Sequence, residues 1–408
     1  MITLWAAERR TVDTAEFGEL IESMADAHAA PLAAELVDIV AHISTEILRT
    51  PILRTAPQFV ALGYWMRAAA IRRIVAEGRA AVPDGNVLAP RGLALHLPPA
   101  NVDTIFVYSW VLSLLAGNSN VVRLPAKVSP PTEALLAIIV DALAGGRISS
   151  KNLFCTYPYG GEVEQRISPL FDLRIIWGGD EKVALVNKVP IRPDGLSIGF
   201  PDRQSVALIS LEAYDRSTAE ERDELAGRLF NDAYWFDQMG CSSPRLLAWI
   251  GTAVNRETLA RDLYSRLQSV IKRKGYEVAP SVAVAKLLVT NELLAEGAGH
   301  RGEWYSSELQ VVDTAEPAAA LKRGPGGGFF LECTLGDLRD VRLLVSRKLQ
   351  TITHFGFDID QLMELARGVA GIGAYRIVPV GHALDFNPTW DGVPLLSHMT
   401  RQIVVKAN

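Results

Sequence analysis

Short apolar runs alternate with helical segments through the first half of the chain. The runs show no polar face, as expected of strands that are buried on both sides of a sheet. They occupy residues 92–97, 120–124, 153–156 and 173–177, with a further strand near Ser197, and helical patterns lie at 102–116, 132–144 and 180–187. This alternation predicts an α/β domain with a parallel sheet, whose ligands collect at the carboxyl ends of the strands.

A second α/β pattern begins after Pro201. Its predicted strands lie at 205–210 and 245–250, and its predicted helices at 256–272 and 281–296. Upstream of the first sheet, the pattern is helical and Ala-rich, with breaks near Pro31 and Pro51. We therefore divide the chain into an N-terminal helical arm (1–85), a first α/β domain (86–201), a second α/β domain (202–378) and a C-terminal segment (379–408).

The composition of the 408 residues is typical of a soluble enzyme. Lys and Arg number 41 against 46 Asp and Glu, so the chain has no positive field for nucleic acid. Its most apolar stretch, 105–116, is shorter than the ~20 residues that span a bilayer, and the N-terminus lacks the pattern of a secretory signal. We expect neither a membrane span nor export.

The cysteines and histidines argue against a metal centre. Cys155, Cys241 and Cys333 are odd in number and widely spaced, unlike a disulfide framework or a zinc site. We therefore expect a reducing, cytoplasmic location and no bound metal. Cys155 and Cys333 lie in apolar, β-like runs, and we interpret them as core residues. We interpret His96 and His354 as packed or hydrogen-bonded side chains.

Cys241 is the candidate nucleophile. It lies in the segment NDAYWFDQMGCSSP, residues 231–244, where a Gly precedes the thiol and two hydroxyl residues and a Pro follow it. Exposed nucleophiles are usually presented in this way. The alternative is an ordinary buried cysteine, because free Cys is among the most buried residue types. The segment alone favours the two interpretations about equally.

Cofactor recognition is predicted at two places, although no G-x-G-x-x-G motif opens a helix after a strand. Gly178 and Gly179 stand between a strand and a helix, where the backbone can approach a phosphate or ribose; a tight turn explains them equally well. Arg123 ends a strand, and Lys127 follows it closely. Both cations would face the carboxyl edge and bind the 2′-phosphate of an NADP-type cofactor, or else be solvated surface charges.

Two polar residues complete the candidate site. Asn101 follows two prolines, and a held amide can donate to the oxyanion of a tetrahedral adduct; from local sequence, the N-cap of a helix beginning at Val102 is the better interpretation. Glu332 lies in the apolar run 329–335 and would contact a cofactor ribose or serve as a strand-face charge. The loop 324–328 is a mobile lid or, as its Gly and Pro content favours, an ordinary turn.

Several separated motifs resemble the LuxC-type acyl-CoA reductases of bacterial luminescence, a branch of the aldehyde dehydrogenase superfamily. The resemblance covers most of the chain after the helical arm. It rests on HLPPANV (96–102), LAGNSNVVRLP (115–125), WGGD (177–180), the segment 231–244, LQTIT (349–353), AYRIVPVG (374–381) and WDG (390–392). It implies an aldehyde-dehydrogenase-like α/β fold, with a modified Rossmann cofactor domain (86–201) and a catalytic domain (202–378).

The resemblance also implies roles for single residues. Cys241 corresponds to the catalytic cysteine and Asn101 to the oxyanion asparagine. Arg123 corresponds to the basic residue near the adenosine ribose, and the pair Gly178, Gly179 to the cofactor turn. This superfamily lacks the G-x-G-x-x-G motif, so the missing motif agrees with the resemblance. A discontinuous cofactor domain and a subunit-bridging segment are implied too, so we expect a homo-oligomer in which 379–408 rejoin the first domain or a neighbouring subunit.

One departure bears on the reaction. The hydrolytic aldehyde dehydrogenases carry a Glu base before a Gly, whereas this chain has Ser197-Ile-Gly199 at the corresponding place. A thioacyl enzyme without a base to activate water survives longer, so reduction to an aldehyde outcompetes hydrolysis. Asp202 is near enough that a shifted register would restore a carboxylate.

The reaction implied by the resemblance is reduction of an acyl-CoA or acyl-carrier thioester to the aldehyde, with a fatty acyl group as the expected substrate. NADPH is the expected cofactor and NADH the alternative. A CoA-acylating aldehyde dehydrogenase working oxidatively is the nearest competing function. A cysteine acyltransferase or thioesterase would need no nicotinamide. A catalytically silent subunit of an acyl-transfer assembly is a third alternative, and an acyl-transfer partner protein fits the enzyme as well.

Overall fold

A computed structural model describes residues 1–6, 8–25, 28–146, 148–158, 161–252 and 255–406. The chain divides into two compact units, Met1–Pro201 with Phe386–Asn408, and Asp202–Asp385. Each unit contains a largely parallel sheet with helices between its strands. The α/β class predicted from the alternating pattern is confirmed.

A parallel sheet with an antiparallel edge forms the first unit. The first strands of this unit are β1 (Ile2–Trp5), β2 (Arg10–Val12), β3 (Asn86–Pro90), β4 (Leu93–Leu97), β5 (Ser119–Arg123), β6 (Asn152–Thr156), β7 (Leu173–Trp177) and β8 (Leu196–Phe200), of which β3 lies outside this sheet. Its first helices are α1 (Thr14–Ser23), α2 (Ala34–Arg49), α3 (Pro51–Arg54), α4 (Pro57–Trp65), α5 (Ala68–Ala80), α6 (Ile105–Leu115), α7 (Pro130–Leu143), α8 (Glu162–Ile167) and α9 (Asp180–Asn187). The described sheet has the order β2-β1-β6-β5-β4-β7-β8, and β6 to β8 run parallel.

The N-terminal residues join this sheet and its core, although the sequence predicts a helical arm. Ile2 and Leu4 are buried and alternate with half-buried neighbours, and β1 pairs antiparallel with β6, with Leu4 opposite Cys155. Helices α2, α4 and α5 bury apolar faces in the same core as α6. Strands of three and four residues are too short to stand out as a period-2 pattern, so the sequence indicated helices alone.

A buried hydrogen-bond network crosses the first sheet at His96. Its Nδ1 lies 2.8 Å from Ser109 Oγ, and its Nε2 lies 3.1 Å from Asn120 Oδ1. Asn120 Oδ1 can only accept, so the proton of the neutral ring is on Nε2, and Nδ1 accepts from the Ser109 hydroxyl. The oxygen of that hydroxyl also accepts a hydrogen bond from Trp177 Nε1. Burial lowers the pKa of His96 to about 4 and keeps the ring neutral. His96 is a hydrogen-bonded core histidine, as predicted.

The second unit repeats the α/β plan. Its strands are β9 (Gln204–Ser210), β10 (Pro244–Ile250), β11 (Gly299–Ser306), β12 (Leu309–Thr314), β13 (Phe329–Leu335), β14 (Leu349–Phe355) and β15 (Arg376–Pro379). Its helices are α10 (Leu211–Arg216), α11 (Ala219–Tyr234), α12 (Arg256–Lys274), α13 (Pro280–Ala295), α14 (Pro317–Ala320) and α15 (Ile359–Val369). The described strands are ordered β11-β12-β13-β10-β9-β14-β15, and all neighbours are parallel except β11 and β12.

The last residues return to the first unit, but later than the predicted boundary at 379. Asp232 on α11 accepts hydrogen bonds from Gly381 N (2.7 Å) and Ala383 N (2.9 Å), which holds this stretch in the second unit. From Phe386 the chain belongs to the first unit. There it forms β16 (Thr389–Trp390), β17 (Val393–Pro394), α16 (Leu395–His398) and β18 (Thr400–Val404), and β18 pairs antiparallel with β3.

The described ranges contain neither a candidate membrane span nor a candidate metal cluster. No helix in them has both the length and the apolarity to cross a bilayer. No three His, Cys, Asp or Glu side chains in them converge as ligands for a metal ion.

Candidate functional site

The candidates of the first unit lie at one edge of its parallel sheet. Arg123 is the last residue of β5, Asn101 lies in the loop after β4, and Gly178 directly follows β7. These three strands are parallel neighbours, so their carboxyl ends lie side by side. Open α/β sheets bind their ligands at this edge.

The glycine pair makes a tight connection into α9. Gly178 has a φ of +153°, and a Cβ on it would lie 2.5 Å from Lys182 Cδ. Gly179 is the N-cap of α9, and a Cβ on it would meet no atom within 4 Å. Gly178 is therefore required by the turn itself. The bare backbone at Gly179 leaves the N-terminus of α9 accessible to a phosphate.

Lys182, which the sequence analysis did not single out, joins this turn to the loop after β4. Its Nζ donates to Leu97 O (3.3 Å) and Pro98 O (3.0 Å). Burial lowers the pKa of Lys182 to about 8, and the charge of Arg123 contributes to that shift. The signal for this residue was its place in the first turn of the helix that opens at the two glycines.

Arg123 and Lys127 differ in their freedom to bind a ligand. Arg123 is half-buried, and its Nε and Nη2 donate to Tyr157 O at 3.2 and 3.0 Å. Its guanidinium carbon lies 5.3 Å from the centroid of the Tyr157 ring. Lys127 is exposed between β5 and α7. Lys127 is therefore the better placed of the two to meet a phosphate, whereas part of the Arg123 fork already binds the backbone.

Asn101 is not a helix cap. Helix α6 begins at Ile105, and its N-cap is Thr104. The prediction of a helix from Val102 with Asn101 as its N-cap is wrong, because residues 98–104 form a loop that opens with two prolines. Asn101 is exposed, and its amide makes no hydrogen bond with the described part of the chain.

Cys241 lies in the loop from α11 to β10, at the amino ends of the parallel strands of the second sheet. Ser205 Oγ, near the start of β9, donates to Cys241 O at 2.7 Å. Ser242 Oγ donates to Gln350 Oε1, near the start of β14, at 2.8 Å. Ser242 is buried, whereas Cys241 is partly exposed. The loop is thus fixed to two strands while the cysteine stays accessible.

Asp237 and Gln238, which precede Cys241 in its loop, adopt left-handed backbone angles. Asp237 has a φ of +51° and Gln238 a φ of +60°, which is uncommon for residues other than glycine. Gln238 is fully buried, and its Nε2 donates to Pro244 O at 2.9 Å. Tyr276 Oη donates to Asp237 Oδ1 at 2.7 Å. The sequence analysis missed these contacts, although Gln238 lies in the quoted Cys241 segment.

The other two cysteines are core residues, as predicted. Cys155 on β6 and Cys333 on β13 are buried, and none of the three cysteines forms a disulfide. Burial raises the pKa of both thiols, that of Cys333 to about 12. Thiols of this kind are inert. Among the three, Cys241 alone has the accessibility of a nucleophile.

Glu332 is a buried carboxylate in the middle of β13. Its Oε1 lies 2.8 Å from Arg256 Nη2, and its Oε2 accepts a hydrogen bond from Trp249 Nε1 at 3.0 Å. Burial raises the pKa of the carboxyl, and the charge of Arg256 opposes that shift. Both oxygens have partners within the second unit. This geometry favours the structural interpretation over the expected ribose contact, because a mid-strand residue lies away from the sheet edge.

Ser197 and Gly199, which the resemblance aligns with the hydrolytic base of aldehyde dehydrogenases, lie on β8. Ser197 Oγ accepts a hydrogen bond from Arg174 Nε at 3.2 Å and donates to Asn187 Oδ1 at 2.9 Å. Asp202, the carboxylate that a shifted register would align with the base, is exposed and belongs to the second unit. Ser197 is therefore held by neutral and cationic partners of its own unit.

A cavity of about 900 Å³ opens at the other edge of the second sheet. Its lining includes Ser210, Ile250, Gly251 and Phe357, which lie at or beyond the carboxyl ends of β9, β10 and β14. Sheet geometry alone would favour a ligand there. None of the motif residues lines this cavity. We therefore keep Cys241, at the amino edge of the sheet, as the candidate nucleophile.

The comparisons with known proteins agree with the motifs. The profile of the acyl-CoA reductase (LuxC) family matches residues 84–402. Aldehyde dehydrogenase 21 from Physcomitrella patens, solved with succinate, is similar in structure (12% identity, 96% of this chain and 90% of that chain, TM-score 0.68). So is an NAD-dependent aldehyde dehydrogenase from Sinorhizobium meliloti (13%, 96% and 86%, TM-score 0.68). Glyceraldehyde-3-phosphate dehydrogenase GapN from Methanocaldococcus jannaschii, complexed with NADP, gives a TM-score of 0.67 (12%, 97% and 94%).

Structural likeness at these identities shows the fold. A search of curated protein sequences gives no significant match. The family profile, however, spans the chain from just before β3 to within β18, and so includes every motif described above. The chain belongs to the LuxC family of acyl-CoA reductases, oxidoreductases that here have the aldehyde dehydrogenase fold.

Proposed function

We propose that the protein reduces an acyl thioester, carried by coenzyme A or by an acyl-carrier protein, to the aldehyde through a thioacyl group on Cys241. The observation that carries the proposal is the presentation of this cysteine. Its carbonyl is bound by Ser205 and its neighbour Ser242 by Gln350, yet the residue stays partly exposed. A covalent catalyst needs this combination of a fixed backbone and an accessible sulfur.

The chemistry consists of two transfers at one sulfur atom. The Cys241 thiolate attacks the thioester carbonyl, and the coenzyme A thiolate leaves with the electron pair of its C–S bond and takes up a proton. By the resemblance, Asn101 corresponds to the residue that donates an N–H to the oxyanion formed on the way. A nicotinamide, when bound, would supply the hydride that the thioacyl carbonyl accepts. The C–S bond to Cys241 then breaks, which releases the aldehyde and restores the thiolate.

The expected product is an aldehyde because the thioacyl group is protected from hydrolysis. By the resemblance, Ser197 and Gly199 stand where hydrolytic relatives have a Glu base. The Ser197 hydroxyl is hydrogen-bonded to Arg174 and Asn187 and is a poor base at neutral pH. Without a carboxylate to activate water, the thioacyl group persists until it is reduced.

The first unit offers groups that fit a nicotinamide dinucleotide. The N-terminus of α9 at Gly179 would meet the pyrophosphate, and Lys127 and Arg123 at the same sheet edge would meet the adenosine ribose or its 2′-phosphate. These two cations support NADPH over NADH. A homo-oligomer and an acyl-transfer partner protein remain part of the proposal.

Lys127→Ala is expected to raise the KM for NADPH about tenfold, because it removes an exposed cation from the 2′-phosphate. The KM for NADH should stay within about twofold of the wild-type value, since NADH lacks that phosphate. Lys188→Ala, at an exposed position beyond α9, is the matched control. Equal effects of Lys127→Ala on the two nucleotides would show that this residue does not read the phosphate.

The wild-type protein is expected to form one aldehyde and one free coenzyme A thiol for each NADPH oxidised. The measurement follows absorbance at 340 nm, free thiol and trapped aldehyde over a series of acyl-CoA chain lengths. Thiol release without NADPH oxidation would replace the proposal with a thioesterase or acyltransferase. Faster turnover from aldehyde, coenzyme A and NADP⁺ would identify a CoA-acylating aldehyde dehydrogenase.

A further inference from the structure

The glycine-rich turn near β13 is packed against its neighbours. Gly326, Gly327 and Gly328 have φ angles of +80°, +62° and +81°. A Cβ on Gly326 would lie 2.7 Å from Asp237 O, and one on Gly327 would lie 2.7 Å from Val282 Cγ1 on α13. A Cβ on Gly328 would overlap the Glu308 carbonyl. The loop is therefore a tightly packed turn, which favours the ordinary turn over the mobile lid.

This turn binds the nucleophile loop through its backbone. Gly327 N donates to Asp237 O at 2.8 Å, and Gly328 N donates to Gln238 Oε1 at 3.1 Å. The same Gln238 side chain donates through Nε2 to Pro244 O at 2.9 Å. Asp237 and Gln238 precede Cys241, and Pro244 follows it. The turn thus holds the loop on both sides of the thiol.

A buried lysine lies beneath the turn. Lys286 on α13 is fully buried, and its Nζ donates to Gly327 O at 2.6 Å and also to Ser307 O. Burial lowers the pKa of Lys286 to about 8, and the Glu308 charge opposes that shift. No carboxylate of the described ranges pairs with Nζ within salt-bridge distance.

The burial of Lys286 departs from the usual pattern of an amphipathic helix, in which the buried face is apolar and the exposed face is polar. The inner face of α13 carries Lys286, Thr290 and Leu293, whereas Val284 and Leu287 on the same helix are exposed. Burying an ammonium group without an ionic partner is unfavourable, and an apolar side chain of similar size would often be as stable or more stable. The cost of burying this ammonium group indicates that the two hydrogen bonds from Lys286 to backbone carbonyls have a role other than stabilising the fold.

We propose that Lys286 is a positioning residue for Cys241, acting through the 326–328 turn. The path runs from Lys286 Nζ to Gly327 O, from Gly327 N to Asp237 O, and from Gly328 N through the Gln238 side chain to Pro244 O. Each contact fixes a backbone group next to the nucleophile loop. The inference deepens the proposed function, since it rests on Cys241 being the nucleophile.

Lys286→Met is expected to slow alkylation of Cys241 by iodoacetamide in the folded protein about tenfold, because a small displacement of a reacting group has a large effect on rate. The kcat for acyl-CoA reduction should fall by a similar factor, with the KM for acyl-CoA within about twofold. The melting temperature should not fall, because Met has a similar volume and removes a buried charge. Lys286→Gln, which keeps a donor, should recover part of the labelling rate.

Lys322→Met is the matched control, because Lys322 is exposed on the 3-10 turn Leu321–Arg323 and makes no hydrogen bond or ion pair with the described residues. If Lys286→Met does not fold, Gln238→Met interrupts the same path above the lysine and should slow labelling equally. Wild-type labelling in either folded variant would overturn the inference. Alkylation needs no substrate. Slower labelling in a protein that reduces no acyl-CoA would therefore retain the positioning role and reject the proposed function.

Discussion

Cys241→Ser is expected to lower the rate of acyl-CoA reduction on the order of 10⁴-fold or more, the scale seen when a covalent nucleophile is removed. Serine preserves the size of the side chain, so the hydrogen bonds from Ser205 to the residue 241 carbonyl and from Ser242 to Gln350 should persist. A hydroxyl without an activating base is a far weaker nucleophile than a thiolate. The measurement is NADPH consumption at saturating acyl-CoA, with mass spectrometry of the acylated peptide.

Cys333→Ala is the matched control for this experiment. Cys333 is buried on β13, and its raised pKa keeps the thiol protonated and inert. Its replacement should leave the turnover number and the acylated peptide unchanged, with a small loss of stability from the missing sulfur. Turnover by Cys241→Ser above about a tenth of the wild-type rate would show that another residue carries the acyl group.

The two units present their candidate groups at opposite ends of their own strands. In the first unit, Asn101, Arg123 and Gly178 follow strands, as the rule for parallel sheets leads one to expect. In the second unit, Cys241 precedes β10, and the same rule points instead to the cavity beside Gly251. Topology alone therefore predicts the carboxyl edge of the first sheet as a binding site. The amino edge of the second sheet is a candidate site only because the cysteine segment lies there.

The elements with sharp sequence boundaries were predicted residue for residue. Strand β7 (Leu173–Trp177) and helix α9 (Asp180–Asn187) match because an apolar run, two glycines and an acidic first turn mark the transition. Helix α6 was placed three residues too early, since Val102 and Asp103 fit a helix locally but the preceding prolines hold them in a loop. Local sequence patterns thus predict the type of an element better than the residues at which it begins and ends.

Contacts between distant segments had no local signal. The bond from Gly328 N to Gln238 joins residues ninety positions apart, and β1 pairs with β6 across most of the first unit. From the sequence, Glu332 fitted either a ribose contact or a strand-face charge. Its partners Arg256 and Trp249, which favour the second interpretation, both come from other elements. Such pairings depend on tertiary packing, which the spacing of residues along the chain does not encode.

Asn101→Ala is expected to lower the kcat for acyl-CoA reduction about 10²- to 10³-fold, the usual effect of removing one oxyanion donor. The KM for acyl-CoA should change little, because the N–H bond strengthens as charge develops on the oxygen. The structure indicates that this substitution does not disturb the fold. Asn101 is exposed, caps no helix and bonds to no described residue, so its loss should leave the melting temperature unchanged.

Three comparisons separate this role from a structural one. Asn101→Asp keeps the shape but replaces the donor with a carboxylate that repels the oxyanion, so it should be at least as slow as Asn101→Ala. Asn291→Ala, at an exposed position on α13, should retain wild-type kinetics. Iodoacetamide should label Cys241 at the wild-type rate in Asn101→Ala, because alkylation forms no oxyanion. A kcat within about threefold of wild type in Asn101→Ala would remove Asn101 from the mechanism and leave the oxyanion to backbone N–H groups, since an essential donor contributes far more than that.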